Sequence, residues 1–473
     1  MPSLFETAPA QQSDPTNPSK TPPILIFLIV LVVPIILSYE LITVKETYVF
    51  SITLAAIGGL VIFARPFWGL ILFVMLLYIR PEESIQEIQG IRLPFIISVT
   101  TLLSALIHKL VNREKIQNSP LNFFIVGFSF FAIASSMQSN QLELAMTDIS
   151  KNAILVLLII NLVNTPKKFR IFSQFLILLT GYLATYSIYL YQTGSVLVRD
   201  NEFQALATGI FSDPNDLSAT IVAGLGMSLF QTRSDQKSVK FINFVLSILF
   251  FFAITLTNSR GGLLATILTI NMFIYQTSQN KKISIIIIIM SSLLILASLG
   301  GRIVNFDSTE ASANSRFWFW STGIEVFIQR PLLGIGYGGF PDINGGMTAH
   351  NSFVLCFTET GLIGYFFWVG CILYNLTISI SKNPKKDYTS NNSETLSLAG
   401  SKLALSGYLI AIFWISRTYI SNFYILMSMP TAYYISHTQV NTTHKSHTIK
   451  PLNIISICII SIITIYIIAI IKR

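Results

Sequence analysis

The chain has 473 residues, of which 52% are hydrophobic and 11% are charged, and its formal net charge is +9. Soluble domains usually carry about 25% charged residues, so this composition excludes an ordinary soluble protein. It predicts an all-α, polytopic transmembrane helix bundle. The cysteines Cys356, Cys371 and Cys458 all lie in apolar segments, which excludes a disulfide framework and a cysteine metal site.

In chain order, residues 1–21 are polar and rich in Pro, Ser and Thr, which predicts a disordered cytoplasmic tail without a signal peptide. N-terminal transmembrane helices follow over 22–199, a middle segment over 200–380 contains a large polar loop at 300–350, and C-terminal helices occupy 381–473. Since a span needs roughly 20 apolar residues, we predict about 12–15 spans. Breaks at Arg65-Pro66 and at Arg417 mark candidate re-entrant segments or half-helices. The candidate spans are 22–39, 47–64, 66–79, 93–107, 120–137, 152–163, 171–191, 209–230, 241–256, 262–276, 283–299, 351–380, 400–416, 418–436 and 452–471.

The basic residues predict which side of the membrane each loop faces. With the N-terminus inside, alternating spans place 19 of the 31 Lys and Arg residues inside, but only 6 of the 22 acidic residues. This is the asymmetry expected of cytoplasmic loops, so the net charge reflects membrane topology and nucleic-acid binding is not predicted. The outward-facing set is mostly arginine, whose forked guanidinium suits phosphate oxygens. The ionisable residues that this topology places on the outer side include Arg199, Arg260, Arg316, Arg330, His350 and Arg417.

Arg260 and Arg316 are the first candidates for binding an anion. Arg260 lies in TNSRGG at 257–262, where we expect two glycines to let the chain turn between spans. A charge at the bilayer centre costs at least about 2.5–3.5 kcal/mol, which favours function over an interfacial arginine that snorkels to headgroups. Arg316 lies in SANSRFWFW at 312–320 and either binds phosphate or pairs with Glu325, whereas the tryptophans are typical of interfacial anchors.

The sequence GIGYGG at 334–339 superficially matches a dinucleotide fingerprint, but no strand precedes it, so that interpretation is rejected. We expect these glycines to let the backbone approach a bulky ligand or another helix. A plain flexible loop is the alternative.

His350 ends the polar loop and is the candidate general base. The alternative is a structural or interfacial histidine. Asn351 and Ser352 are natural capping residues for the helix that follows. Glu359 lies deeper in that helix, where an acid is costly, so we predict that it pairs with a buried arginine.

The acidic pair in SDPND at 212–216 could bind a divalent metal, but a helix N-cap is favoured. No Walker A loop, HExxH or GxSxG motif occurs, so an ATP-driven pump and a zinc protease are not expected. We therefore predict neither a metal nor a cofactor.

Five motifs in this order resemble the bacterial O-antigen ligase and O-antigen polymerase superfamily. They are GIFSDPNDLSA at 209–219, TNSRGG at 257–262, SANSRFWFW at 312–320, RPLLGIGYGGF at 330–340 and AHNSFVLCFTETGLIGYFFW at 349–368, with a looser match at 415–427. The resemblance implies a multi-pass enzyme of the bacterial inner membrane with a periplasmic active site. Such an enzyme transfers a glycan from an undecaprenyl-diphosphate carrier to a lipid A core, glycan or protein hydroxyl, as in lipopolysaccharide assembly, without metal or nucleotide.

By position, Arg260 and Arg316 match the motif arginines expected near the diphosphate, and His350 matches the loop histidine expected to act at the acceptor. The chain departs from the family pattern at Gln204–Thr208, where members often have an arginine; the nearest here is Arg199.

The predicted reaction is an inverting, metal-independent glycosyl transfer. Arg260 and Arg316, with Arg199 or Arg417, hold the diphosphate, and His350 removes the acceptor proton. Arg330, Asn351 and Glu359 complete the predicted substrate-binding set. Two alternatives remain open: a polymerase of the same superfamily, and a transporter for an anion or a lipid-linked sugar. The transporter is less favoured because the charges cluster on one face and no inverted repeat is evident.

Overall fold

The computed structural model describes residues 58–81, 93–199, 202–298, 311–378, 393–438 and 449–471. The tail at 1–21, the span at 22–39 and most of the span at 47–64 lie outside the described residues, as does part of the polar loop. The described chain is almost entirely helical, which confirms the all-α bundle. The polar loop contains helices of its own.

The N-terminal helices are α1 (Pro66–Ile79), α2 (Leu93–Val111), α3 (Pro120–Ser136), α4 (Leu142–Leu162) and α5 (Pro166–Gln192). A short antiparallel hairpin follows, β1 (Leu197–Arg199) and β2 (Glu202–Gln204), in which Arg199 lies opposite Glu202. After a 3-10 turn at Gly209–Ser212 come α6 (Pro214–Gln231), α7 (Lys237–Leu256), α8 (Arg260–Thr277) and α9 (Lys281–Ser298). The remaining helices are α10 (Ala311–Gln329), α11 (Gly339–Ile343), α12 (Ser352–Thr377), α13 (Ser393–Ile412), α14 (Ser421–Thr438) and α15 (Pro451–Ile471).

By length and composition, six of the described helices could cross a membrane, which agrees with a multi-pass protein, although one of them, α12, is bent into two arms. They are Leu93–Val111, Pro166–Gln192, Lys237–Leu256, Ser352–Thr377, Thr395–Ile412 and Pro451–Ile470. Helix α6 is buried along almost its whole length and packs against α7, α8 and α13. Glycines permit this close packing: a Cβ atom at Gly226 would lie 2.8 Å from the Ala404 backbone nitrogen.

The starts of several helices lie close together at one end of the bundle. Hydrogen bonds join the starts of α6, α8 and α12 at this end. The basic residues predicted to face the cytoplasm lie at the opposite helix ends, in the last turn of α2 (Lys109), the first turn of α5 (Lys168) and the first turn of α9 (Lys281). The arginine-bearing motifs therefore share the end opposite these lysines.

Helix α12 is folded back on itself at Gly361. This glycine has φ 63° and ψ −171°, which is not helical. The Phe353 and Trp368 ring centroids are 5.2 Å apart, although fifteen residues of straight helix would separate them by about 22 Å. The Phe357 and Tyr365 rings are also in contact, at 5.7 Å. The helix thus forms two arms, 352–360 and 362–377, which corrects the prediction of one continuous span over 351–380.

The loop at 331–336 binds the backbone groups that this fold-back exposes. Ile335 N donates to Thr358 O at 3.1 Å, and Leu362 N donates to Pro331 O at 2.7 Å. Contact is so close that a Cβ atom at Gly334 would lie 2.4 Å from Thr358 O. The loop thus caps the end of the first arm and the start of the second. This confirms that the glycines let the backbone approach another helix, and excludes the plain flexible loop.

Candidate functional site

The starts of α6 and α8 meet at one point. Asp213 caps α6 by accepting a hydrogen bond from Asn215 N at 2.8 Å, so the predicted capping role is confirmed. Ser259 caps α8 by accepting from Gly262 N at 3.1 Å, and its hydroxyl also donates to Asn215 Oδ1 at 2.7 Å. Two helix N-termini, each with a partial positive charge, are therefore joined side by side.

The start of α12 is clamped onto residues 413–420, the segment that connects α13 to α14. Ser352 Oγ donates to Ile415 O at 2.6 Å and accepts from Arg417 N at 2.8 Å, and Thr418 Oγ1 donates to Ser352 O at 2.8 Å. Asn351 caps the helix, as predicted, by accepting from Phe353 N at 2.8 Å. Asn351 is fully buried and its side chain positions the start of the helix, while its role in substrate binding stays a prediction.

Arg417 forms a forked ion pair with Asp216 at the start of α6. Its Nε and Nη2 atoms donate to the two carboxylate oxygens, and Nη1 donates to Ser416 O at 2.8 Å. The Asp216 side chain is only 9% exposed. The guanidinium therefore ties the 413–420 segment to α6, and the substrate-binding role of Arg417 stays a prediction.

Arg260 is the exposed first residue of α8. The turn before it is made by Asn258, which has φ 50°, whereas Gly261 and Gly262 are helical. A Cβ atom at Gly261 would lie 3.1 Å from Trp414 Cβ, and one at Gly262 would lie 2.4 Å from a Ser218 side-chain atom. The prediction that the glycines form the turn is therefore wrong; Gly261 lets the Arg260 end of α8 approach the 413–420 segment, and Gly262 lets it approach α6.

His350 lies beside the same segment, on the other side of two tryptophans. Its ring is half-buried and stacks on Phe319, with ring centroids 5.9 Å apart. Trp320 Nε1 donates to Ala349 O at 3.1 Å, and the Trp320 and Trp414 rings are 6.2 Å apart. His350 has φ 48°, a costly conformation for a residue with a side chain, so its backbone is held by its surroundings.

Arg316 precedes Trp320 by one turn of α10 and is half-buried. The two residues lie on the same face of the helix, so we expect Arg316 to lie near His350. Trp318 is 52% exposed, as expected of an interfacial anchor, but Trp320 is 1% exposed and packs inside the site, which corrects its predicted role. Trp320 contacts Ala349 and Trp414, and Gly261, next to Arg260, lies against Trp414. We therefore expect Arg260, Arg316 and His350 to face one region around these two tryptophans.

Two other predicted site residues lie apart from this group. Arg330 follows Arg316 by fourteen residues, or about 21 Å along the helix axis, and donates to Gln138 Oε1 at 3.2 Å. Glu359 is 1% exposed near the α12 fold-back and accepts from Phe340 N at 3.3 Å. Among the described residues it has no arginine partner, which corrects the predicted pairing.

Arg199 ends β1, whose hairpin is tied to the turn before Arg260. Asn258 Nδ2 donates to Phe203 O at 2.7 Å, and Ala205 N donates to Leu256 O at 2.9 Å. The backbone of the hairpin is therefore fixed next to α8.

A cavity of about 340 Å³ lies against the 413–420 segment and was not predicted from the sequence. Tyr337 OH donates to Asp148 Oδ2 at 2.8 Å, and Lys151 Nζ lies 2.7 Å from Asp148 Oδ1. Burial first, and then the Asp148 carboxylate, raise the pKa of Tyr337, so its hydroxyl stays protonated and donates. No sequence motif indicated this contact, because 189 residues separate Tyr337 from Asp148. The polar lining residues are Tyr78, Arg80, Asp148, Lys151, Tyr337, Ser416, Tyr419, Ser421 and Asn422.

Residues 245–369 match the family described as O-antigen ligase. The match confirms the resemblance to this superfamily and includes Arg260, Arg316, Arg330, His350, Asn351 and Glu359, but it stops short of Arg199 and Arg417. No curated protein matches the chain. The chain is therefore a membrane protein similar to O-antigen ligases and polymerases.

Proposed function

We propose that the chain is a membrane glycosyltransferase that moves a glycan from an undecaprenyl-diphosphate carrier to an acceptor hydroxyl. It would act on the outer side of a bacterial inner membrane, with its N-terminus in the cytoplasm. The grouping of His350 with Arg260 and Arg316 around Trp320 and Trp414 supports this proposal most directly. A base and two cations then face the region where helix starts favour an anion.

In the proposed reaction, the acceptor oxygen attacks the anomeric carbon while the bond from that carbon to the diphosphate oxygen breaks. A ring nitrogen of His350 takes the acceptor proton, and the diphosphate leaves on its lipid with the bonding electrons. Direct displacement inverts the anomeric configuration. Arg260 and Arg316 stabilise the charge on the leaving group, and neither metal nor nucleotide takes part.

The stacking of His350 on Phe319 and the bond from Trp320 to the neighbouring Ala349 hold the imidazole against α10, the helix that carries Arg316. Diphosphate is a good leaving group, so positioning and electrostatic stabilisation suffice for the reaction. The proposed catalytic unit is larger than the segment 200–380, because Trp414 and Ser416–Thr418 belong to its framework.

The test is transfer by the purified protein in lipid nanodiscs, with a synthetic undecaprenyl-diphosphate-linked glycan, an acceptor glycan and excess EDTA. We expect product of inverted anomeric configuration, measured by NMR, and loss of product with His350→Ala. Full activity of that variant contradicts the role of His350 as base. Loss of activity in EDTA, restored by a divalent metal, contradicts a metal-independent reaction.

The same assay separates the alternatives. A ladder of products from one lipid-linked repeat identifies a polymerase, whereas a single transfer to a distinct acceptor identifies a ligase. Uptake of the lipid-linked sugar into proteoliposomes without covalent product identifies a transporter and contradicts the proposed function.

A further inference from the structure

The cavity against the 413–420 segment takes no part in the mechanism above, and we propose that it binds one sugar ring of the glycan substrate. The identity of that glycan rests on the proposed function, but the binding of a sugar does not. Its volume of about 340 Å³ lies at the lower end of the range for pockets that hold small molecules. No residue predicted from the sequence as part of the site lines it.

One wall of the cavity is a fixed chain of polar groups. The Tyr337 hydroxyl and the Lys151 ammonium bind opposite oxygens of the Asp148 carboxylate, at 2.8 Å and 2.7 Å. A carboxylate held from both sides still has free lone pairs on each oxygen. Asp148 can therefore accept hydrogen bonds from sugar hydroxyls while it stays in place.

One hydroxyl group of the lining lacks a protein partner. The hydroxyl oxygen of Ser416 is buried and has no hydrogen bond within the described residues. Ser416 is 8% exposed. The Tyr419 hydroxyl faces the Glu359 carboxylate without a hydrogen bond of normal geometry. Because buried polar groups are nearly always hydrogen-bonded, this wall suits a ligand that brings donors and acceptors of its own.

The aromatic and charged groups of the cavity lining favour a sugar as the ligand. The Tyr337 and Tyr419 rings are 4.7 Å apart and form an apolar surface beside the hydroxyls. The cations Arg80 and Lys151 exceed the single carboxylate of Asp148 by one charge. This balance suits a neutral or singly acidic pyranose, with its apolar C–H face and hydroxyl rim, better than a diphosphate.

The cavity is rigidly connected to the proposed catalytic group. Ser416 lines it, and the next residue, Arg417, donates its backbone N–H to Ser352 Oγ at 2.8 Å. Ser352 begins the arm that directly follows His350. A sugar bound in the cavity is therefore held at a fixed position with respect to His350. The ring can belong to the donor glycan or to the acceptor glycan, which share this chemistry.

The first experiment measures binding without turnover. The probe is an oligosaccharide released by mild acid from the surface polysaccharide of the producing bacterium, titrated by calorimetry into the full-length protein in nanodiscs. We expect roughly tenfold weaker Kd for Asp148→Asn, which removes the charged acceptor from the cavity wall, and for Ser416→Ala, which removes one hydroxyl. Ser416→Ala should keep the thermal midpoint of the natural protein, because its hydroxyl has no hydrogen bond within the described residues.

Tyr189→Phe is the matched control, since Tyr189 is 58% exposed on α5, outside the cavity, and its Kd should not change. His350→Ala should also bind the probe normally, because His350 does not line the cavity. The proposal is overturned if the natural protein does not bind the probe, or if both cavity variants bind it as tightly as the natural protein does.

The second experiment identifies the source of the sugar in the transfer assay. A higher KM for the acceptor with an unchanged KM for the donor assigns the cavity to the acceptor glycan, and the reverse assigns it to the donor. If no transfer occurs but the cavity variants weaken probe binding, the proposed function fails and the sugar site stands. If transfer occurs and both variants keep the natural KM values and Kd, the sugar site fails.

Discussion

The 413–420 segment separates two regions that differ in how they are built. The His350 region consists of short motifs, each of which contributes several neighbouring residues: 257–262, 316–320 and 349–352. The cavity collects one or two residues from each of several distant elements. The first region carries the groups expected to act on a reacting bond, and the second carries groups suited to recognising a sugar. Variants that affect one region but not the other test this division.

The largest expected effect is that of His350→Ala. Loss of a positioned general base lowers kcat by about 10²–10⁴-fold, while binding in the cavity stays unchanged. His437→Gln, in the last turn of α14, is the control and should keep full activity. Transfer kinetics in nanodiscs measure both. Activity of His350→Ala within about threefold of the natural protein would remove the chemical role of this region.

Arg417→Met tests whether Arg417 holds the fold or the substrate. Removing it leaves the 9% exposed Asp216 carboxylate without its partner, which should lower the free energy of unfolding by about 3–5 kcal/mol. The double variant Asp216→Leu with Arg417→Met should recover most of this loss. Thermal and denaturant unfolding measure the stability. A fully stable Arg417→Met with a raised donor KM would favour the predicted substrate-binding role of Arg417.

A comparison of Arg260→Ala with Arg330→Ala tests which arginines belong to the His350 region. Loss of one charge-stabilising group near the leaving diphosphate should lower kcat/KM for the donor by about 100-fold in Arg260→Ala. Arg330→Ala should change it by less than about threefold, because Arg330 lies at the far end of α10 and binds Gln138. Equal losses in the two variants would contradict the grouping described here.

The smallest expected effect concerns the fold-back of α12. Gly361→Ala places a methyl group 2.2 Å from Leu332 O. The backbone conformation at this position is one that residues with a side chain rarely adopt. Together these effects should lower the free energy of unfolding by about 1–3 kcal/mol. Gly59→Ala is the matched control, because no atom lies within 4 Å of its Cβ position. The thermal midpoint of Gly361→Ala should therefore lie below that of the natural protein, whereas the midpoint of Gly59→Ala should not.

Local patterns were sufficient to predict much of the fold and part of the site. Apolar runs predicted the helix bundle, and capping chemistry predicted the roles of Asp213 and Asn351. The fold-back was not predictable, because an apolar run of 26 residues fits one straight span and Gly361 differs from a packing glycine only in its backbone angles. The ion pair of Arg417 joins positions 201 residues apart, so only the tertiary structure reveals its partner.

The fold-back also makes the bend of α12 and the loop at 331–336 depend on each other. The carbonyls of Thr358 and Glu359 and the amides of Leu362 and Ile363 are bound by this loop. Ser135, in the last turn of α3, donates to both Leu333 O and Glu359 O. A buried backbone group that loses its partner costs free energy comparable to a lost hydrogen bond. We therefore expect the bend and the loop to open as one unit, so that the amides of Ile335, Gly336, Leu362 and Ile363 exchange their hydrogens together.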